Sequence, residues 1–265
     1  MAKSAPSESG IIQSVDRALR ILRLFHQNKN TELSIREIAG QLELNKSTAF
    51  CLLQTLKRQN FIRQNEGNSK YSLGLGLMEI GLSMAAGLEV GPIARPLLEE
   101  LVKDRSETAH LVVQDGDQVI YIEKIAGTKT SSVGIVSYVG KSNPMYCTGV
   151  GKCVLAWSSE ETINRVLSSK LVKFTKNTVI DAAALRQELS LIRKKGFAID
   201  REEIEIGLKC VAAPIFDCHG QVTAAISLSG PSSHLPEEKL VELVGPVTDC
   251  ARQISAQLGF PGQNR

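Results

Sequence analysis

Ser34-Ile35-Arg36-Glu37-Ile38-Ala39-Gly40-Gln41-Leu42-Glu43-Leu44-Asn45-Lys46-Ser47-Thr48-Ala49-Phe50-Cys51-Leu52-Leu53-Gln54-Thr55-Leu56 reads as two short helices joined by a tight turn. Ser34 followed by Glu37 is a capping box: the hydroxyl can accept from the Glu37 N–H while the Glu37 carboxylate reaches back to the Ser34 N–H. Ile35, Ile38, Ala39 and Leu42 then form an apolar stripe, and the helix ends near Leu42. Leu44-Asn45 makes the turn, and Asn45 suits the N-cap of the next helix. That helix buries Ala49, Leu52, Leu53 and Leu56, while its other face offers Lys46, Ser47, Thr48, Phe50, Gln54, Lys57 and Arg58. The leading end of this face combines an amide, an ammonium and two hydroxyls. Those groups suit phosphates and base edges, and a helix N-terminus itself favours anions. A short helix, a turn and a helix with a polar leading face is the helix-turn-helix arrangement, whose second helix enters the DNA major groove. Ser34, at the start of the first helix of the pair, joins the candidate contacts.

Upstream, Ser14 precedes Val15, Leu19, Leu22 and Phe25 at helical spacing, which predicts a first helix capped by Ser14. Downstream the apolar period changes to two. Phe61-Ile62-Arg63-Gln64 and Lys70-Tyr71-Ser72-Leu73 flank a turn-rich Asn65-Glu66-Gly67-Asn68-Ser69, which predicts a β-hairpin placed as a wing, with Arg63 and Lys70 towards phosphates. Residues 1–73 carry 11 Lys/Arg against 6 Asp/Glu, and the rest 20 against 22. A basic N-terminal segment on a nearly neutral body fits a nucleic-acid-binding domain joined to something else. Pattern and charge favour DNA binding, with dimerisation or protein binding as the alternative for three helices and a hairpin.

Further along, 75–88 is strongly apolar but too short to span a bilayer, which takes about 20 residues. It reads as a buried helix, with Gly76, Gly81 and Ala85 open to close approach, at a dimer contact or in a plain core. Pro92 suits the first turn of a following helix over 93–105. Residues 108–114 and 119–125 are β-rich runs around Asp115-Gly116-Asp117, a hairpin signal. A third strand is expected near 132–136, helices over 149–157, 160–167 and 182–195 (stopped by Gly196), a strand pair over 210–216 and 221–229, and a last helix over 236–258. Hairpins mixed with helices indicate an α+β domain. The organisation expected is a disordered tail over 1–10, a winged helix-turn-helix over 11–73, a linker helix over 74–90 and a ligand-binding domain over 91–260.

Two segments in the second half look chemical. In Gly140-Lys141-Ser142-Asn143-Pro144-Met145-Tyr146-Cys147-Thr148-Gly149-Val150-Gly151-Lys152, a glycine-containing loop opens a helix and presents free N–H groups to an anion. The spacing is not that of a phosphate-binding P-loop. Phe197-Ala198-Ile199-Asp200-Arg201-Glu202-Glu203-Ile204-Glu205-Ile206-Gly207 places several acids in a loop between strands; the plainer reading is a solvated loop.

The six cysteines include no Cys-x-x-Cys pair and read as reduced, mostly buried thiols. No metal or cofactor site is expected. Cys147 or Cys210 could act as a nucleophile, but His26, His110, His219 and His234 form no recognisable pairing with them, so an enzyme is the remote alternative. No signal-peptide or membrane-length apolar run is present, and a cytoplasmic protein is expected.

Taken together, Leu44-Asn45-Lys46-Ser47-Thr48 with Leu52-Leu53-Gln54-Thr55-Leu56, then Pro144-Met145-Tyr146-Cys147-Thr148-Gly149-Val150-Gly151-Lys152, Asp200-Arg201-Glu202-Glu203 leading to Gly207, and Cys210-Val211-Ala212-Ala213-Pro214-Ile215-Phe216 resemble the IclR family of bacterial transcription regulators. The resemblance runs from about residue 11 to 260. It implies a GAF-like α/β effector domain, dimers made largely through the N-terminal half, often tetramers, and double-stranded operator DNA as partner. It implies a small organic acid as effector, with its carboxylate on the N–H groups of Gly149 and Val150 and its other polar groups on Asp200, Cys210, Ser227 and Ser229. Ser227 and Ser229 alternate on one strand face, so their hydroxyls share a side. The stretch 143–152 with Trp157 is nearest to relatives that sense sugar acids. Repression of a catabolic operon is the commoner outcome in the family, and activation is the alternative. Cys51 stands where relatives often carry Arg, and Phe50 where they often carry His or Tyr. Both positions face DNA or its edge, so the operator sequence does not carry over.

Overall fold

The computed structural model describes residues 10–28, 31–129 and 137–262, and the chain divides into two compact units that meet in sequence at Gly87 and Leu88. The first unit contains α1 (Gln13–Gln27), α2 (Ile35–Gln41), α3 (Lys46–Arg58), β1 (Ile62–Gln64), β2 (Tyr71–Leu73) and α4 (Leu75–Ala86). Its core is built from Ile21, Leu24 and Phe25 of α1, Ile38 of α2, Leu53 and Leu56 of α3, and Ile62 and Tyr71 of the hairpin. The predicted capping box forms: Glu37 N–H donates to Ser34 Oγ (3.3 Å) and Ser34 N–H to Glu37 Oε2 (2.7 Å). The α2–α3 turn closes with Glu43 at a φ of 52° and a Leu44 N–H bond to the Ala39 carbonyl of 2.8 Å. β1 and β2 pair antiparallel, and Leu33 makes an isolated antiparallel bridge to Tyr71, a contact with no signal in the local pattern.

Three sequence expectations are corrected in this unit. Ser14 is not a cap: Ile12 takes that place, its carbonyl accepting from Val15 and Asp16 (3.0 Å each), and Ser14 lies inside the first turn. The apolar face of α1 is rotated, because Ile21, Leu24 and Phe25 face the core while Val15 and Leu19 stay exposed. The helix over 75–86 is not buried within its own chain, which overturns the plain-core alternative. Leu75, Met78, Ile80, Leu82 and Met84 are all more than half exposed, and only its start is tightly packed, where a Cβ on Gly76 would come within 2.9 Å of the Asn60 carbonyl oxygen.

Among the described residues the second unit is a six-stranded antiparallel sheet covered on both faces. Its elements are α5 (Val90–Val102), β3 (Thr108–Asp115), β4 (Gln118–Ala126), β5 (Ser142–Pro144), α6 (Gly149–Trp157), α7 (Glu160–Ser168), α8 (Ala182–Lys195), β6 (Ala198–Arg201), β7 (Leu208–Phe216), β8 (Val222–Pro231) and α9 (Glu237–Gln257), in sheet order β5-β4-β3-β8-β7-β6. All pairings are antiparallel, so the domain is α+β. Period-two alternation divides the side chains between two cores. Ala109, Leu111, Val211, Ala213, Ile215, Ala224, Ile226 and Leu228 pack with α5 and α9. Val112, Val119, Tyr121, Ala212 and Ala225 pack with α6, α7 and α8. α8 ends where expected, with Gly196 left-handed at a φ of 81°.

Here too the structure departs from the sequence reading. α5 starts at Val90 and ends at Val102, short of Arg105, and carries Pro96 inside it. Asp200 is not in a loop but in strand β6, paired opposite Cys210. A short strand, β5, falls in the segment read as loop. The strand expected near 132–136 lies outside the described residues. Among the described residues no single helix is long and apolar enough to cross a membrane.

Candidate functional site

The first unit presents α3 as its polar surface. Asn45 is the N-cap residue, yet its side chain makes no capping bond, which leaves the amide at the open end of the helix. Lys46 and Ser47 are exposed beside it, Thr48 and Gln54 half-buried, and Phe50, Cys51, Lys57 and Arg58 exposed. Ala49 and Leu53, on the opposite side, are fully buried and fix which face turns outward. Ser34 is placed differently: its hydroxyl is engaged in the capping box of α2. In the hairpin, Arg63 Nε donates to Ser72 Oγ (3.0 Å), which steadies its exposed side chain, and Lys57 Nζ donates to Gln64 Oε1 (3.4 Å), which ties α3 to β1. Lys70 is half-buried on the second strand edge. Sequence reasoning missed the anchor of this loop: Asn65 and Asn68 each donate a side-chain N–H to the Glu32 carboxylate (3.0 and 2.8 Å). Those two bonds hold the Glu32 carboxyl below the usual range.

The second unit concentrates its polar groups at one end of the sheet face that α6 covers. Register places Asp200, Cys210, Ser229 and Thr108 side by side across β6, β7, β8 and β3. The next row holds Ala212, Ser227 and His110. Over this end lies the start of α6. Thr148 caps it, accepting from the Gly151 N–H (3.0 Å) through its hydroxyl and from the Lys152 N–H (2.9 Å) through its carbonyl. The N–H groups of Gly149 and Val150 come before the first in-helix bond and have no carbonyl partner within the helix. Gly149 must be glycine for contact reasons: a Cβ there would sit 2.8 Å from Cys210 Sγ, 3.3 Å from Ala212 Cβ and 3.5 Å from Asp200 Cβ. The six residues singled out from the sequence for this end, Gly149, Val150, Asp200, Cys210, Ser227 and Ser229, are all buried.

Four further groups line the same end: His110, Tyr121 and Ser137, which carry no local sequence signal, and Asn143, from the segment read as chemical. Ser227 Oγ and Ser229 Oγ are 3.3 Å apart, and Ser229 Oγ is 3.3 Å from His110 Nδ1. The other ring nitrogen of His110 lies 2.8 Å from Ser137 Oγ. Asn143 Nδ2 donates to the Tyr121 hydroxyl (3.4 Å), and Tyr121 meets the His110 ring edge-on. Burial, with the Lys124 and Lys141 charges, holds His110 down to about 3, so its ring is neutral and offers one donor and one acceptor. Burial lifts Asp200 to about 7. The Glu203 N–H donates to Asp200 Oδ1 (2.9 Å) and opposes that rise, as does the Lys152 ammonium, while the Glu203 and Glu188 charges add to it. A carboxyl near 7 is divided between a hydroxyl donor and an anion at neutral pH.

The thiols are not poised for attack. Burial first, then the Asp200 charge, raises Cys147 to about 12 and Cys210 well above its ordinary value. A nucleophilic cysteine needs the opposite shift. Of the six free cysteines only Cys51 and Cys218 are exposed.

A winged helix-turn-helix followed in the chain by an α+β domain with a buried polar cradle defines a DNA-binding transcription regulator with a sensing domain. The family models agree: residues 14–66 match the IclR helix-turn-helix domain, and residues 83–256 match the bacterial transcriptional regulator IclR C-terminal domain. The HTH-type transcriptional regulator XynR of Escherichia coli K12 is 37% identical over 252 residues, covering 95% of this chain and 99% of its own. The HTH-type transcriptional repressor AllR of the same organism is 32% identical over 249 residues, covering 94% and 91%. An IclR homologue from Microbacterium hydrocarbonoxydans, solved in complex with 4-hydroxybenzoate, superposes with a TM-score of 0.81 at 25% identity, covering 93% of this chain and 99% of that one. The chain belongs to the IclR family of bacterial transcription regulators.

Proposed function

We propose that this regulator represses a catabolic operon and that a small carboxylic acid, of the sugar-acid type, switches its operator affinity from the cradle at the start of α6. The observation that carries the reading is the start of α6, where the N–H groups of Gly149 and Val150 have no carbonyl partner within the helix and Gly149 meets the Cys210 thiol, set over a row of hydroxyl and carboxyl groups. A carboxylate there gains charge-assisted hydrogen bonds and the favourable end of the helix dipole. The hydroxyls of Ser227, Ser229 and Tyr121, the Asn143 amide and the neutral His110 ring then suit a ligand with several hydroxyls of its own. The AllR relative is a repressor, and the Microbacterium homologue holds a carboxylic acid; both favour this assignment.

On the DNA side, Asn45, Lys46, Ser47, Thr48, Gln54, Lys57 and Arg58 face the operator, with Phe50 and Cys51 reading or flanking the bases and Arg63 and Lys70 on phosphates. The protein works as a homodimer or tetramer in the cytoplasm and performs no catalysis. Ile11, Ile12, Val15 and Leu19 on and before α1, and the apolar side chains of α4, are exposed, which supports an interface between copies. The switch requires the acid to bind the operator-competent and incompetent states with different affinity. A thermal-shift screen of small carboxylates, followed by gel shifts on the DNA upstream of its own operon with and without each hit, tests the reading. The expected result is one acid that stabilises the protein by mass action and also moves the gel-shift midpoint. Stabilisation without any change in DNA affinity refutes the switch.

A further inference from the structure

Lys152 is the largest charged side chain in the second unit to be fully removed from water, with a relative exposure of 0%. It lies one helical turn beyond Gly149 on α6. Its ammonium donates to both carboxylate oxygens of Glu203 (2.6 Å each) and to Glu188 Oε1 of α8 (2.7 Å). Burial works against its charge, but Glu203 and Glu188 outweigh burial and hold the proton above the usual lysine range. A buried ion pair is weak grounds for stability, since well-packed apolar residues often do as well or better. What this cluster does supply is geometry. Glu203 is held by its side chain to Lys152, and the same residue's N–H donates to Asp200 Oδ1. Its carbonyl accepts from Thr178 Oγ1 (2.6 Å). The chain enters this loop through Glu202 at a φ of 65°, a conformation that side-chain-bearing residues adopt at a cost, and leaves it through Gly207 at 89°.

We propose that Lys152 is a positioning residue for the ligand cradle: by binding Glu203 and Glu188 together it clamps the 202–207 loop to α6 and so sets Asp200 opposite the N–H groups of Gly149 and Val150 at the start of that helix. The proposal rests on the cradle being the acid-binding site. The clamp also tempers the field there. Three carboxyls, those of Asp200, Glu188 and Glu203, converge near a place meant for an anion, and the Lys152 ammonium is the cation among them. Without it, Glu203 and Glu188 face each other uncompensated and must take up protons or move apart.

The test uses full-length Lys152→Met and Glu188→Gln variants, and reads amide hydrogen exchange by mass spectrometry without ligand. A selective rise of about tenfold in exchange over residues 200–207, including the Glu203 N–H, is expected in Lys152→Met, with α9 and the β3–β4 hairpin unchanged. No rise in that segment overturns the proposal. A rise of equal size throughout the domain also overturns it, because Lys152 is then an ordinary core residue. If Lys152→Met does not fold, Glu188→Gln decides by the same peptides: its carboxylate is 30% exposed, and a selective rise of about threefold is expected, with none refuting the clamp. A second arm titrates sodium gluconate, as the probe acid, into the parent and both variants. Weaker binding in the variants, in proportion to the exchange change, supports positioning, and unchanged binding despite a loosened loop overturns it. Failure of gluconate to bind the parent counts against the sugar-acid reading alone, and the exchange arm still decides the clamp.

Discussion

Replacing Asp200 with Asn should stabilise the ligand-free protein, and by more at alkaline than at acid pH. Asp200 is 3% exposed and its carboxyl is lifted from an ordinary 3.8 to about 7. Between those two values the folded chain binds a proton that the unfolded chain has released, so stability falls as pH rises through this window and levels off above about 7. At ~1.4 kcal/mol per pH unit, keeping this carboxyl buried costs roughly 2 kcal/mol at pH 5.5 and about 4 kcal/mol at pH 8. Asn has no charge to lose and retains an Oδ1 that can accept the Glu203 N–H. The advantage of Asp200→Asn should therefore grow by about 2 kcal/mol from pH 5.5 to 8, or ~4–8 °C in Tm for a chain of this size. Calorimetric melts of parent and variant at both pH values, at one protein concentration, measure it. An advantage equal at the two pH values, or a loss at pH 8, would refute a buried carboxyl held near neutrality. The same substitution has a functional counterpart. If an acid binds over protonated Asp200, its affinity for the parent weakens above pH 7, while its affinity for Asp200→Asn stays flat.

Three other substitutions separate the parts of the molecule. Gly149→Ala forces a Cβ to within 2.8 Å of Cys210 Sγ and should cost about 1–3 kcal/mol by overpacking. Binding of small carboxylates, measured by calorimetry, should fall while ligand-free operator binding persists. Lys46→Ala should weaken operator binding in a gel-shift titration and reduce the salt slope by about 1, the mark of one lost phosphate contact; parental affinity and slope would remove Lys46 from the interface. Leu82→Glu changes a side chain that is 58% exposed, so a single chain should fold as before, but light scattering should show a smaller assembly if α4 is an interface between copies. An unchanged mass would place the interface elsewhere.

The helix-turn-helix was legible because its signals are local. A capping box at Ser34 and Glu37, an apolar stripe on α3 and a turn-rich hairpin loop each act within a few residues, and the hydrogen bonds of α2 confirm the first of them. Local signals failed where a competing contact decided the matter. Ser14 could have capped α1, but the helix begins two residues earlier, on the Ile12 carbonyl. The apolar run of α4 resembled a core helix, because composition does not distinguish a side chain buried in its own chain from one left for another.

In the second unit the sequence determined the strands β3, β4, β7 and β8, the helix starting at Gly149, and, through family resemblance, six residues for the cradle, while β5 and β6 fell in segments read as loop. It did not supply their arrangement. Asp200, Cys210, Ser229 and Thr108 become neighbours only through the register of four antiparallel strands, and His110, two residues along β3 from Thr108, meets Ser229 across a separation of 119 residues. Burial, likewise, is a property of the packed domain. Glu203 reads as one acid of a solvated loop and Lys152 as the end of a glycine-rich turn. Tertiary structure takes both out of water, joins them at 2.6 Å, and leaves Asp200 beside them poised near neutrality. Periodicity and capping fix what each segment is. The chemistry of the cradle arises from desolvation and from pairing across long separations, and these exist only once the sheet and its helices have closed on one another.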